Sequence, residues 1–223
     1  MAAPRMRVGH LGNSDAGADL AAAMAGAGHA VEPLADTARA GDYDALILGT
    51  SASQLPRAIA AVEPVVRRGQ IIIHTALSEG VQILDDLEVK GAVVMALSPV
   101  LSERWVITTH DELGETIAGL ILGEAGIIGF PQTDAQRPIT AARVEQARML
   151  RALYDSAAAD VARIVAEDVH DVPGTPSTDG VIHGYRAIEE PGLRRAYLEY
   201  ARRVGEVYHR EDLEMWALQE ETQ

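Results

Sequence analysis

At 223 residues the chain exceeds one ordinary domain of roughly 150 residues and falls short of two. It is 48% hydrophobic with only 4% aromatics, so it can bury a sizeable core, built from Ala, Val, Ile and Leu. A formal charge of −14 repels nucleic-acid backbones and anionic lipid, and the absence of cysteine excludes disulfides, thiolate metal sites and cysteine nucleophiles.

The first apolar run, Met6 to Leu11, stops at Gly12, and Ser14 to Ala27 is Ala-rich and helix-favouring up to Gly28. Ala30 to Leu34 reads as a weak strand, with Pro33 confining it to an edge or a strand end. Tyr43 to Gly49 is a continuous apolar run bounded by turn residues, as in a strand buried on both faces. A helix over Leu55–Arg67, a strand over Gln70–His74, a helix over Val81–Leu87 and a strand over Ala92–Leu97 follow. Trp105–Thr109 reads as strand, His110–Ala125 as helix and Gly126–Phe130 as a short strand. This alternation predicts a mostly parallel sheet covered on both sides.

From Pro138 to about Glu167 one long helical pattern carries Leu150, Leu153, Tyr154, Ala157, Val161, Ile164 and Val165 as an apolar stripe. His170 to Gly184 reads as loop, and Pro191 opens a last helix followed by an acidic end. The expected organisation is a Rossmann-like domain over residues 1–132 and a helical, dimerising region over 133–223 with a loop at 170–184. The longest apolar stretch, Ala118–Phe130, contains Glu124 and is too short against the ~20 residues a membrane helix needs. A soluble cytoplasmic protein is expected.

The turn Gly9-His10-Leu11-Gly12-Asn13-Ser14-Asp15-Ala16-Gly17 sits at a strand-to-helix junction. Its spacing matches the dinucleotide fingerprint at Gly12 and Gly17, with Ser14 in the place of the middle glycine. Gly12 allows the tight turn and Gly17 a close helix–strand contact. Ser14 offers a hydroxyl to phosphate, while its Cβ narrows the approach to the positive helix end. Leu11, Gly12, Asn13, Ser14 and Gly17 are therefore candidate contacts of NAD or NADP; the other reading is an ordinary α/β turn. Asp36, 19 residues after Gly17, stands near the place of a ribose-binding acid, and Arg39 offers a 2′-phosphate contact instead. Thr50, Ser51 and Thr75 follow strand ends, where ligands gather in open α/β sheets.

The opening VGHLGNSDAGADLAAAMAGAGHAV, with Gly28-His29-Ala30-Val31 closing it, resembles the 6-phosphogluconate dehydrogenase-like, or β-hydroxyacid dehydrogenase-like, superfamily. The similarity continues through Asp44–Thr50 and through Ile72–Ser78, which is similar to a branch near the pyrroline-5-carboxylate reductases and imine reductases. It covers roughly residues 6 to 168, and implies a Rossmann domain followed by a long interdomain helix, often with helical-domain dimerisation. With the departures below, the expected fold is a shortened Rossmann-type parallel sheet, a long interdomain helix and a small helical C-terminal region. The sequence departs from the family in three places. Ser14 replaces a glycine, and the second helix and third strand of the usual fold have no room before Tyr43. No lysine occurs between residues 131 and 223, so the lysine mechanism of the hydroxyacid dehydrogenases is not expected. Ser98 stands where the resembling branch often has a histidine before proline.

Leu150-Arg151-Ala152-Leu153-Tyr154-Asp155 resembles a segment of the interdomain helix in imine reductases, where an Asp or a Tyr is associated with proton donation. The resemblance makes Tyr154 or Asp155 the candidate acid for an NAD(P)-dependent reduction of a small C=N or C=O substrate. As alternatives, Tyr154 is plain core and Asp155 pairs with Arg151. No two of the seven histidines sit at metal-ligand spacing on one helix face, and no metal is expected. A ligand sensor or partner subunit without redox activity, or a non-redox enzyme using His170, His183, Tyr185 or Arg186, are the other readings. An anionic substrate would need Arg143, Arg148, Arg186 or Arg194 to offset the charge. The wide apolar stripe favours a homodimer.

Overall fold

The computed structural model describes residues 5–169 and 171–222. Seven strands form one sheet: β1 (Arg7–Gly12), β2 (Ala30–Pro33), β3 (Ala45–Gly49), β4 (Ile71–His74), β5 (Val93–Leu101), β6 (Arg104–Thr109) and β7 (Ile128–Pro131). Their order is β2-β1-β3-β4-β5-β6-β7, parallel except for the β5–β6 hairpin. The eight helices among the described residues are α1 (Asp15–Gly26), α2 (Leu55–Val62), α3 (Asp85–Val89), α4 (Glu112–Glu124), α5 (Arg137–Val165), α6 (Thr178–Ala187), α7 (Pro191–Tyr208) and α8 (Glu211–Glu221). None of the helices is long and apolar enough to cross a membrane.

The central strands are buried on both faces, as their unbroken apolar runs predict. Leu46 and Leu48 of β3, Ile72 of β4 and Val94 and Ala96 of β5 point to one layer, with Leu55, Ile59 and Val62 of α2 and Leu87 of α3. Ala45, Ile47, Ile73, Met95 and Leu97 point to the other, against Leu20 and Met24 of α1 and Ala118, Ile121 and Leu122 of α4. In α1 the buried residues Gly17, Leu20, Ala21 and Met24 follow the three- and four-residue steps of a helix laid on a sheet.

A short 3-10 turn, Thr37–Asp42, leads straight from β2 into β3, so the second helix and third strand of the usual fold are indeed absent. Strand β2 is therefore the edge of the sheet. Helix α2 is shorter than its apolar pattern predicts, because Pro64 cannot continue the ladder and the chain tightens into a 3-10 turn at Glu63–Val65. Strand β5 is longer than predicted: it runs through Pro99 to Leu101, with its pairing to β6 shifting register there.

Helix α5 is the long helix expected, entered through a Thr133–Gln136 capping box and with Pro138 in its first turn. The chain divides into two compact units, up to Leu153 and from Tyr154 onward, so the dividing line runs through α5. In the second unit the predicted loop 170–184 ends early, because α6 starts at Thr178. Ser177 caps it by accepting the Gly180 N–H at 3.1 Å. Its Gly, Ser and Asp content reads as loop, yet Val181 and Tyr185 fall on one helical face. His170 lies outside the described residues. The acidic end forms α8, whose Leu213 and Ala217 pack on Ala201 of α7 with Val181, Val204 and Trp216 around them. Tyr185 meets Trp216 edge-on at 5.5 Å between ring centres.

Candidate cofactor site

The turn between β1 and α1 is shaped by three glycines in mutual contact. Gly12 has φ +110°, which L side chains rarely adopt, and a Cβ there would lie 2.2 Å from the Gly49 carbonyl oxygen. A Cβ on Gly17 would lie 2.4 Å from the Gly49 Cα. The end of β3 thus presses on the start of α1, and the first turn of α1 opens at the carboxyl ends of the strands.

Ser14 is committed to the fold by three bonds. Its N–H donates to the Gly49 carbonyl at 2.8 Å, its hydroxyl accepts the Gly17 N–H at 3.1 Å, and it lies 3.4 Å from the Thr75 hydroxyl. Ser14 is therefore the N-cap of α1. The helix N–H groups left at this end belong to Asp15 and Ala16.

A cavity of about 300 Å³ opens there. Its lining takes Ser14 and Ala16 from the turn, Thr50, Ser51 and Ala52 after β3, Thr75–Ser78 after β4, Pro99 of β5, and Ala141, Glu145 and Arg148 of α5. Four of the predicted contacts, Ser14, Thr50, Ser51 and Thr75, thus converge. The Thr50 hydroxyl is buried without a hydrogen-bond partner among the described residues, an orphan that a ligand would satisfy. Ser51 shares a 3.1 Å bond with Ser53. Glu145 and Arg148, one turn apart, pair at 2.6 Å, so the charged groups of the lining among the described residues cancel locally.

The other predicted contacts are placed apart from this lining. Gly12 and Gly17 act through backbone geometry, Leu11 is partly buried against the core and Asn13 is exposed. Asp36 is exposed and caps the 3-10 turn, accepting the Ala38 N–H at 3.0 Å; Arg39 pairs with Asp42 at 3.2 Å. Tyr154 and Asp155 belong to the second unit. The half-buried Tyr154 donates its phenol proton to Asp171 at 3.0 Å and accepts the Val172 N–H at 3.0 Å, while Asp155 is exposed.

Behind the cavity lies a group the sequence does not reveal. Arg137, the first residue of α5, is fully buried and donates to the carbonyls of Ala76, Glu79 and Ala96 and to the hydroxyls of Ser98 and Thr108. It ties the ends of β4, β5 and β6 to α5, and so fixes two walls of the cavity against each other. Burial lowers its guanidinium to about 10 while Asp134 and Glu79 oppose the shift, so it stays charged at neutral pH. Asp134 in turn accepts the Val81 and Gln82 N–H groups at 2.8 and 3.1 Å. Ser98 is thus an acceptor for Arg137 rather than a group facing substrate.

His74, at the end of β4, is fully buried and donates from Nε2 to the Gly80 carbonyl at 2.9 Å. Burial first, and the Arg137 charge second, lower it to about 4. His10 lies beneath the turn, its Nε2 against Gly17 and Gly49, and burial lowers its pKa as well. Elsewhere His110 bridges Asp85 at 3.2 Å and Glu88 at 3.5 Å, an exposed cluster formed by residues distant in sequence.

Residues 134–220 match the family described as 6-phosphogluconate dehydrogenase C-terminal domain-like, and residues 33–99 match the Rossmann-like domain. No curated protein matches the sequence. Among solved structures, one assigned as an NADP oxidoreductase from Bacteroides fragilis superposes with a TM-score of 0.72 at 14% identity, covering 91% of this chain and 98% of that one. Plasmodium falciparum pyrroline carboxylate reductase with NADP bound gives 0.56 at 10% identity, with 96% of each chain covered. Prephenate dehydrogenase from A. aeolicus, in complex with hydroxyphenyl propionate and NAD+, gives 0.52 at 11%, covering 98% of this chain and 87% of that one. At these identities the likeness is one of fold. The chain is thus similar to a Rossmann-like domain over residues 33–99 and to the 6-phosphogluconate dehydrogenase C-terminal domain-like family over residues 134–220.

Proposed function

We propose that the chain is an NAD(P)-dependent oxidoreductase that reduces a small C=N or C=O substrate. The observation that carries this reading is the cavity at the N-terminus of α1, with the buried, unpartnered Thr50 hydroxyl in its lining. The N–H groups of Asp15 and Ala16 and the hydroxyls of Thr50 and Ser51 would hold a diphosphate, with the helix end supplying partial positive charge. A bound reduced nicotinamide supplies the hydride. Thr75 and Ser78 line the route from the diphosphate towards β5, and Glu145 and Arg148 flank the substrate end. The proton that must follow the hydride is assigned to Tyr154 or Asp155. Tyr154 is held in one orientation by Asp171 and Val172, and the Asp171 carboxylate, which accepts the phenol proton, offers a relay to solvent.

The same reading has the chain pairing with a second copy through its helical unit. The second unit exposes Ile164, Val165, Leu193, Val207, Tyr208 and Met215, each at least 47% accessible. A light-scattering mass near twice 23.8 kDa is expected.

The test is calorimetric titration with NADH and NADPH, using Gly12→Asp as the control. Micromolar binding that the variant loses supports the reading, and a screen of imines and ketones follows, with Tyr154→Phe and Asp155→Asn identifying the acid. Absence of binding overturns it in favour of a Rossmann-derived protein without redox activity. The capping of Gly17 by Ser14 is what favours that second reading.

A further inference from the structure

The cavity and the edge of the sheet do not coincide. Every residue lining the cavity comes from the α1 turn, from β5, from the segments after β3 and β4, or from α5, and none comes from residues 30–45. That missing side is where the chain has lost a helix and a strand: the sheet ends at β2, and only the 3-10 turn Thr37–Asp42 separates β2 from β3. Glu32, Pro33, Ala35 and Asp36 are all exposed there. The polar groups of this edge are already engaged: Asp36 by Ala38, Arg39 by Asp42, and Glu32 by Tyr43. At the N-terminus of α1 the situation is reversed, with free helix donors and an orphaned hydroxyl on Thr50.

Resting on the reading above, we propose that the protein recognises a nicotinamide dinucleotide through its nicotinamide–ribose–phosphate half alone, leaving the adenosine half against solvent. The physical reason is that binding free energy comes from surface removed from water and from polar groups newly paired. The β2 edge offers neither. The cations of this edge, Arg7 and Arg39, are paired with Glu32 and Asp42, so neither is left to favour the 2′-phosphate of NADPH. Ala16, Thr50 and Thr75, by contrast, line a walled cavity that accepts a phosphate as readily from a mononucleotide as from a dinucleotide.

Calorimetry with NADH, NADPH, reduced nicotinamide mononucleotide and AMP tests this on the full chain. The expected result is mononucleotide binding within about fivefold of NADH, NADPH no tighter than NADH, and no competition by AMP at about hundredfold excess. Thr50→Val, which keeps the side-chain shape, is expected to weaken NADH and the mononucleotide by the same factor, and Asp36→Ala to change neither. NADH binding with the mononucleotide weaker by about a hundredfold or more, or displacement of NADH by AMP, overturns this inference and leaves the dinucleotide reading intact. Failure of all four ligands overturns both.

Discussion

The two ends of the cavity are held by opposite means. At the α1 end, Gly12, Gly17 and Gly49 remove side chains so that backbone can touch backbone. At the α5 end, Arg137 pushes a long charged side chain into the interior and fastens three strand ends with its five hydrogen bonds. One joint works by steric absence, the other by a saturated buried cation. The first has no polar requirement beyond its caps. The second carries a desolvation cost, offset only while every donor of the guanidinium fork is occupied.

The contrast is broken most severely at the cation. Arg137→Leu strands the Ala76, Glu79 and Ala96 carbonyls and the Ser98 and Thr108 hydroxyls, and is expected to cost about 4 kcal/mol in urea unfolding. Arg137→Lys is expected to recover only part of this, since an ammonium lacks the planar fork.

Acid attacks the same end. In the folded chain burial and Arg137 hold His74 at about 4, against the ordinary histidine value of 6.5. Between those values the unfolded chain binds the proton and the folded chain does not, so lowering the pH favours unfolding. The contribution is whole above pH 6.5 and is lost as the pH falls towards 4, on the order of 3 kcal/mol across the window. Unfolding midpoints measured from pH 7 to 4.5 should fall steeply in the wild type and flatten in His74→Gln, which retains a donor for Gly80.

At the glycine joint the expected losses are smaller. Gly17→Ala pushes a methyl against the Gly49 backbone and should cost about 2 kcal/mol by overpacking, seen as a lower urea midpoint. Ser14 gives the mildest effect and sharpens the contrast. Replacing this cap by Ala should cost about 1 kcal/mol, whereas Ser14→Gly should cost only a few tenths, by the same urea measurement. Ser14→Gly also frees the Gly17 N–H, and tighter dinucleotide binding in calorimetry is the expected outcome.

Much of the glycine joint was legible because its causes are local. Gly12, Ser14 and Gly17 lie within six residues, and their spacing states a strand, a tight turn and a helix start. The loss of the usual second helix and third strand was legible for a similar reason, since residues 34–44 leave no length for them. Helix α6 was not, because its Gly and Ser content imitates a loop while its stability rests on Tyr185 meeting Trp216, 31 positions away.

The sequence by itself determined the alternation of strands and helices up to α5, the two-faced burial of the sheet and the place of the phosphate-sized turn, because periodicity and glycine spacing act over a few residues. The tertiary structure alone decided that Arg137 is buried, that Thr50 is left unpartnered, and that Ser98 answers an arginine rather than a substrate. Those depend on partners 29 to 61 residues apart, brought together only when the sheet closes over α5. A guanidinium in a first helical turn looks like a solvated charge until the carbonyls that surround it are in place.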